Sequence, residues 1–192
     1  MSEKTAKIIR VATVSPLVAF ATLLITYFGK PQYFADSAAL WTGIVCVVVL
    51  PLLSYPLQPI CPHFKSKGRQ GQRTLAIVFS VAGYVICCVT AIVVPFGSQI
   101  TAFFVTYLVS GVILLATCKL PMRPSGHACG VAGPIAFLSL FVSPWYLFGV
   151  TILLPVLWSS AKLKRHTLAE SLLGCAVSVS ALFVAALITG AL

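Results

Sequence analysis

The sequence predicts an all-α fold, a multi-pass transmembrane helical bundle of six to seven spans that forms a single domain over residues 1–192. Three observations predict it. The chain is 59% hydrophobic with a mean hydropathy of +1.04 and only 8% charged residues, against the quarter or so expected of a water-soluble domain. Its apolar residues fall in runs that match the ruler of a bilayer, whose core of about 30 Å needs about 20 helical residues. Its basic residues sit in short clusters between those runs, as loops that orient a membrane protein do.

Taken in order, the expected spans are Ile9 to Phe28, Ala38 to Leu57, Leu75 to Phe96, Ile100 to Cys118, Ala128 to Phe141, Trp145 to Ser159 and Leu168 to Leu192. Ser143 and Pro144 divide an apolar stretch too long for one span, which is what makes the fifth and sixth separate. Pro134, Pro144 and Pro155 read as bends or turns. The first run follows Lys4, Lys7 and Arg10 without a clear small-residue cleavage site, so it is expected to be retained as a helix. Lys65, Lys67, Arg69 and Arg73 follow the second run, in a polar segment from Cys61 to Arg73 that reads as an orientation loop. The positive-inside rule places these clusters on the cytoplasmic side, and counting seven spans brings Lys119, Arg123, Lys162, Lys164 and Arg165 to the same side. Lys30 is the one dissenter.

The net charge of +10 raises the question of a nucleic-acid partner. No long basic tract exists, and the dispersed clusters are those of membrane loops, so no nucleic acid is expected and membrane lipids are. Cys46, Cys61, Cys87, Cys88, Cys118, Cys129 and Cys175 lie mostly within or at the ends of apolar runs, without metal-ligand spacing, and read as small membrane hydrophobes. The oligomeric state is not legible.

Few residues can carry chemistry. Glu3, Asp36 and His63 each have an ordinary solvated place in a tail or loop. What remains is Lys119 to His127, and a segment from Trp158 to Glu170. His166 and Glu170 are four apart, which on one helical face lets the carboxylate accept the imidazole N–H, fix its tautomer and leave the other nitrogen free to attack. Pro124-Ser125-Gly126-His127 opens the next span, where the Ser125 hydroxyl and early backbone N–H groups suit an anion and Gly126 allows close approach. Lys119 and Arg123 add cationic donors, the arginine in a fork suited to phosphate.

Arg123-Pro124-Ser125-Gly126-His127, followed by a Ser…His…acid segment, is similar to the type 2 phosphatidic acid phosphatase superfamily, whose pattern is KxxxxxxRP, PSGH, then SRxxxxxHxxxD. PSGH is complete here, Ser159 stands seven residues before His166, Glu170 supplies the acid, and Gly174 falls where the family often has glycine. The resemblance covers residues 119–174. Three departures accompany it: Lys119 precedes Arg123 by four residues rather than seven, Ser160 stands where the third motif has arginine, and the acid is Glu170 rather than Asp. Six spans and an extracytoplasmic site are usual among that family's bacterial lipid phosphatases, against seven spans and a cytoplasmic site counted here.

The resemblance implies a membrane phosphatase acting on a lipid or isoprenoid phosphate or diphosphate. His166 would form a phosphohistidine, Glu170 would orient it and His127 would protonate the leaving oxygen. Lys119, Arg123, Ser125, Gly126 and Ser160 would bind the phosphoryl oxygens, with Lys162, Lys164 or Arg165 making up for the arginine that Ser160 replaces. No metal and no cofactor is implied. Two other readings stay open: a non-catalytic binder or transporter of an anionic lipid, and a lipid phosphotransferase.

Overall fold

The computed structural model describes residues 2–94, 96–118 and 120–192, and among them the regular structure is helical, with no strand. Eight helical segments position the site: α1 (Glu3–Ala12), α2 (Ser15–Gly29), α3 (Ser37–Leu57), α4 (Gly68–Val93), α5 (Ser98–Ala116), α6 (Gly126–Phe141), α7 (Pro144–Lys162) and α8 (Leu168–Ile188). Five of these are long and apolar enough to cross a membrane, and six if the bent pair α1–α2 is one span. The chain is therefore a multi-pass membrane protein. α6, with 16 residues, is a shorter apolar helix buried between α2 and α8.

Successive segments run back and forth. At one end Tyr33 donates its hydroxyl to the Phe141 carbonyl at 2.7 Å, Gly29 packs on Val142 and Gly97 lies against the Tyr33 backbone, which gathers the α2–α3, α4–α5 and α6–α7 connections. The opposite end holds α1, the α3–α4 and α5–α6 connections and the α7–α8 turn. Of the described basic residues all but Lys30 fall at this second end, as the clustering in the sequence leads one to expect.

Packing is what a lipid solvent requires. The interior is held by a run of aromatic contacts, Phe103 on Phe104, Tyr107 and Phe137, and Phe137 on Phe141, with ring centroids 4.8–6.0 Å apart. Buried hydroxyls donate to their own helix: Thr22 to the Val18 carbonyl, Thr26 to Thr22 and Thr106 to Ala102, at 2.7–2.8 Å. The outer faces are apolar too, as with Ile92, Trp145, Phe148, Leu154 and Leu187, an arrangement stable only against hydrocarbon.

Three elements differ from the sequence expectation. The first apolar run is not one helix but two, bent by 44° between Ala12 and Ser15. Pro16 has no N–H for the Ala12 carbonyl and its ring would collide there, so α1 stops and α2 restarts. α4 begins at Gly68 rather than Leu75, so the second half of the expected orientation loop is helical, with Gly71 tight against the Phe64 carbonyl. The sixth expected span starts as a 3-10 helix, Pro144–Ile152, before it becomes α-helical at Leu153.

Candidate active site

The PSGH segment and the His166 segment meet through their backbones. Ser125 is the N-cap of α6, fully buried, its hydroxyl accepting the Ala128 N–H at 3.4 Å. Its own N–H donates to the Glu170 carbonyl at 2.8 Å. Gly174, one turn further along α8, is what lets the two helices come this close: a Cβ there would stand 2.3 Å from the Ser125 oxygen. The first-turn N–H groups of Gly126 and His127 have no partner within the helix and present its positive end at the site.

His166 is carried by a turn rather than by a helix. α7 ends with Lys164 in the left-handed region (φ 49°), the Arg165 N–H donating to the Ser160 carbonyl at 2.9 Å and that of Lys164 to Ala161 at 3.0 Å, which swings the chain back over the bundle. Thr167 then caps α8 in a capping box: its hydroxyl accepts the Glu170 N–H at 3.1 Å, and Glu170 Oε2 accepts the Thr167 N–H at 2.9 Å. The expectation of His166 and Glu170 on one helical face is thus corrected, because His166 precedes the cap. The pair nonetheless meets, with His166 Nδ1 3.3 Å from Glu170 Oε2, although the two atoms are not aligned as a hydrogen bond. The Thr-x-x-Glu spacing at Thr167 to Glu170 was the signal for this cap. Glu170 Oε1 meanwhile accepts the Arg123 N–H at 3.1 Å, so one carboxylate holds both motif segments.

Burial pushes the His166 imidazole below its ordinary value; the Glu170 carboxylate works against this, and Arg73 and Arg10 add to it. At a given pH the ring is consequently neutral, and nucleophilic, in a larger fraction of molecules than a free histidine would be.

His127 lies half-buried in the first turn of α6, where burial and the charges of Arg10, His166 and Arg165 lower its pKa to about 3. Its Nε2 is 2.9 Å from the Thr13 hydroxyl. Thr13 uses its one proton on the Ile9 carbonyl, at 2.7 Å, so His127 Nε2 carries the hydrogen and Nδ1 is left to exchange a proton.

The remaining expected phosphate ligands separate. Lys119 lies outside the described residues. Arg123 is exposed and joins the site through its backbone N–H, its charge lying beside Arg73. Ser160 is fully buried and accepts Arg10 Nη1 at 3.0 Å. Lys162 and Arg165 line an open cleft of about 350 Å³ together with Glu3, Lys7, Arg69 and Lys164. Sequence reasoning passed over Arg10, Arg69 and Arg73 as orientation charges. In the fold every arginine of the chain belongs to one electrostatic cluster, Arg10 with Arg69 and Arg165, and Arg73 with Arg69 and Arg123. Chemically the arrangement offers a neutral imidazole backed by a carboxylate, a second imidazole with an exchangeable proton, and guanidinium and amide donors for an anion.

Comparison with protein-family models, with curated proteins and with solved structures finds no match to this chain.

Proposed function

We propose that the chain is a membrane phosphatase that hydrolyses a lipid or isoprenoid phosphate or diphosphate through a phosphohistidine on His166. The observation that carries this reading is the bridging carboxylate: Glu170 lies 3.3 Å from His166 Nδ1 and accepts the Arg123 N–H, which sets a nucleophile beside the phosphate-binding start of α6. His166 Nε2 attacks phosphorus, the P–O bond to the lipid breaks, and His127, whose pKa of about 3 in the free protein is raised by the arriving phosphate anion, gives the proton it takes up with the substrate to the leaving oxygen. Water then attacks the phosphohistidine, losing a proton to His127, and the P–N bond breaks to give inorganic phosphate and neutral His166. Arg123, Arg165 and the N–H groups of Gly126 and His127 stabilise the charge that gathers on the equatorial oxygens.

A cationic site at the ends of apolar helices suits an amphiphile whose charged head reaches it while the tail stays in hydrocarbon. The crowding of basic residues at the same end favours the cytoplasmic face of a cell membrane. Purified protein is assayed for phosphate release from phosphatidic acid, phosphatidylglycerol phosphate, and prenyl mono- and diphosphates. The wild type is expected to release phosphate from at least one, and His166→Ala to lower the rate by about 10³-fold or more while keeping the folded, inserted state. Full activity in that variant rejects the mechanism, and transfer of the phosphoryl group to a second lipid instead of water makes the chain a phosphotransferase.

A further inference from the structure

We propose that Arg10, carried on the N-terminal helix α1, is a phosphate-binding residue of this site and supplies the guanidinium that position 160 lacks. That it acts on a substrate phosphoryl group rests on the phosphatase reading; that it binds an anion does not.

Arg10 is delivered to the site by design of the local sequence. Lys4, Lys7 and Arg10 recur every three residues and share a face of α1, which packs through the fully buried Ala6 against α7. The break at Pro16 turns α1 out of line with α2 and lays it over the site end of the bundle. Arg10 Nη1 then donates to Ser160 Oγ at 3.0 Å, and Thr13, the C-cap of the same helix, takes the Nε2–H of His127. One short helix thus touches both the third-motif position and the second imidazole.

What surrounds the guanidinium points to an anion. Arg10 is half-buried, and the one pair of opposite charges within bridging distance among the described residues is His166 with Glu170, so no carboxylate answers it. Its charged neighbours are Arg165 and Arg69. A guanidinium has five N–H donors, and Ser160 takes one of them. A half-buried cation among cations, with donors to spare and on the helix whose Thr13 contacts His127, is stabilised by a ligand with several anionic oxygens, and a phosphoryl group matches the fork in charge and spacing.

The test uses the full chain purified in detergent, with Arg10→Met, Arg10→Lys and the double variant Arg10→Met/Ser160→Arg. Two quantities are read: kcat/KM for phosphate release, and the rise in thermal unfolding temperature on adding inorganic phosphate or orthovanadate. Arg10→Met is expected to lose about 10²-fold in kcat/KM, as removal of one oxyanion donor does, and to lose the anion-dependent rise. Arg10→Lys should retain part of both, and the double variant should recover at least about tenfold over Arg10→Met by returning a forked donor from the neighbouring helix. Arg10→Met with undiminished kcat/KM and an undiminished anion response overturns the assignment while leaving the phosphatase reading in place. If the wild type releases no phosphate from any substrate, the phosphatase reading fails; Arg10 then stands as an anion ligand where the thermal response disappears in Arg10→Met, and falls where it persists. Should Arg10→Met not fold, Arg10→Lys decides, a reduced kcat/KM and anion response supporting the assignment and unchanged values rejecting it.

Discussion

Two contacts build the site, and they are of different kinds. α6 and α8 meet backbone to backbone: the Ser125 N–H on the Glu170 carbonyl at 2.8 Å, and Gly174 with its bare Cα against Ser125. α1 meets α6 and α7 through side chains, Thr13 on His127 and Arg10 on Ser160, while its Ile8 and Val11 stay exposed. A backbone seam has no rotamers with which to absorb a displacement, whereas a contact made by a long side chain has several. Damage to the seam should therefore remove fold and activity together, and damage to the α1 contact should remove activity at little cost in stability.

Gly174→Ala gives the largest effect on stability. The new methyl meets backbone oxygen at 2.3 Å, so α8 must retreat from the start of α6, at an expected cost of about 1–3 kcal/mol. Gly133→Ala is the control on the same pair of helices. Its Cβ would stand 3.1 Å from the Ser178 Cβ, so the two helices need part by only a few tenths of an ångström there. Thermal unfolding in detergent should separate the two, and equal unfolding temperatures would mean that the seam is not the constraint described.

The same difference explains what was legible. Repeating apolar runs announced the bundle, because a lipid solvent imposes length and composition on each span separately. PSGH, His166, Glu170 and Gly174 were visible because they lie within one stretch of chain and their spacing is fixed locally. Arg10 and Arg73 were not. Their place depends on the break at Pro16 and on α4 running past the expected start at Leu75, and beside other membrane-flanking cations neither looks unusual. The side of His166 on which α8 begins was misjudged for a related reason, since a residue before an N-cap and one inside the first turn have the same spacing to the acid.

Glu170→Gln sharpens the comparison on the seam side while leaving the Ser125 N–H bond to the residue-170 carbonyl in place. The amide keeps one oxygen for the capping N–H but loses the acceptor for the Arg123 N–H and the charge facing His166 Nδ1. Catalysis should fall roughly 10²–10⁴-fold, the range lost when the group that orients a catalytic imidazole is neutralised. The pH profile gives the sign. The carboxylate raises the His166 pKa against burial, so its removal lets the pKa fall further. The neutral, attacking form then survives to lower pH, and the acid limb of kcat/KM should move down in pH even as the plateau drops. An acid limb that moves upward would mean that another group than His166 sets it.

Thr13→Val probes the α1 side and should have the smallest effect. Valine keeps the shape of the α1 C-cap but removes the oxygen that accepts His127 Nε2–H and the hydroxyl that donates to Ile9. A part-buried neutral hydrogen bond contributes about 1 kcal/mol, so unfolding should shift little. The functional consequence is larger than the energetic one, because nothing then distinguishes the two nitrogens of His127. With the proton free to sit on either, the fraction of rings poised to exchange it at Nδ1 falls, and kcat should drop several-fold to about tenfold with KM nearly unchanged. Thr13→Ser restores the oxygen and should restore kcat. If valine leaves kcat intact while serine and valine unfold alike, the Thr13 contact fastens α1 to the bundle without orienting His127, and the helix serves the site through Arg10 alone.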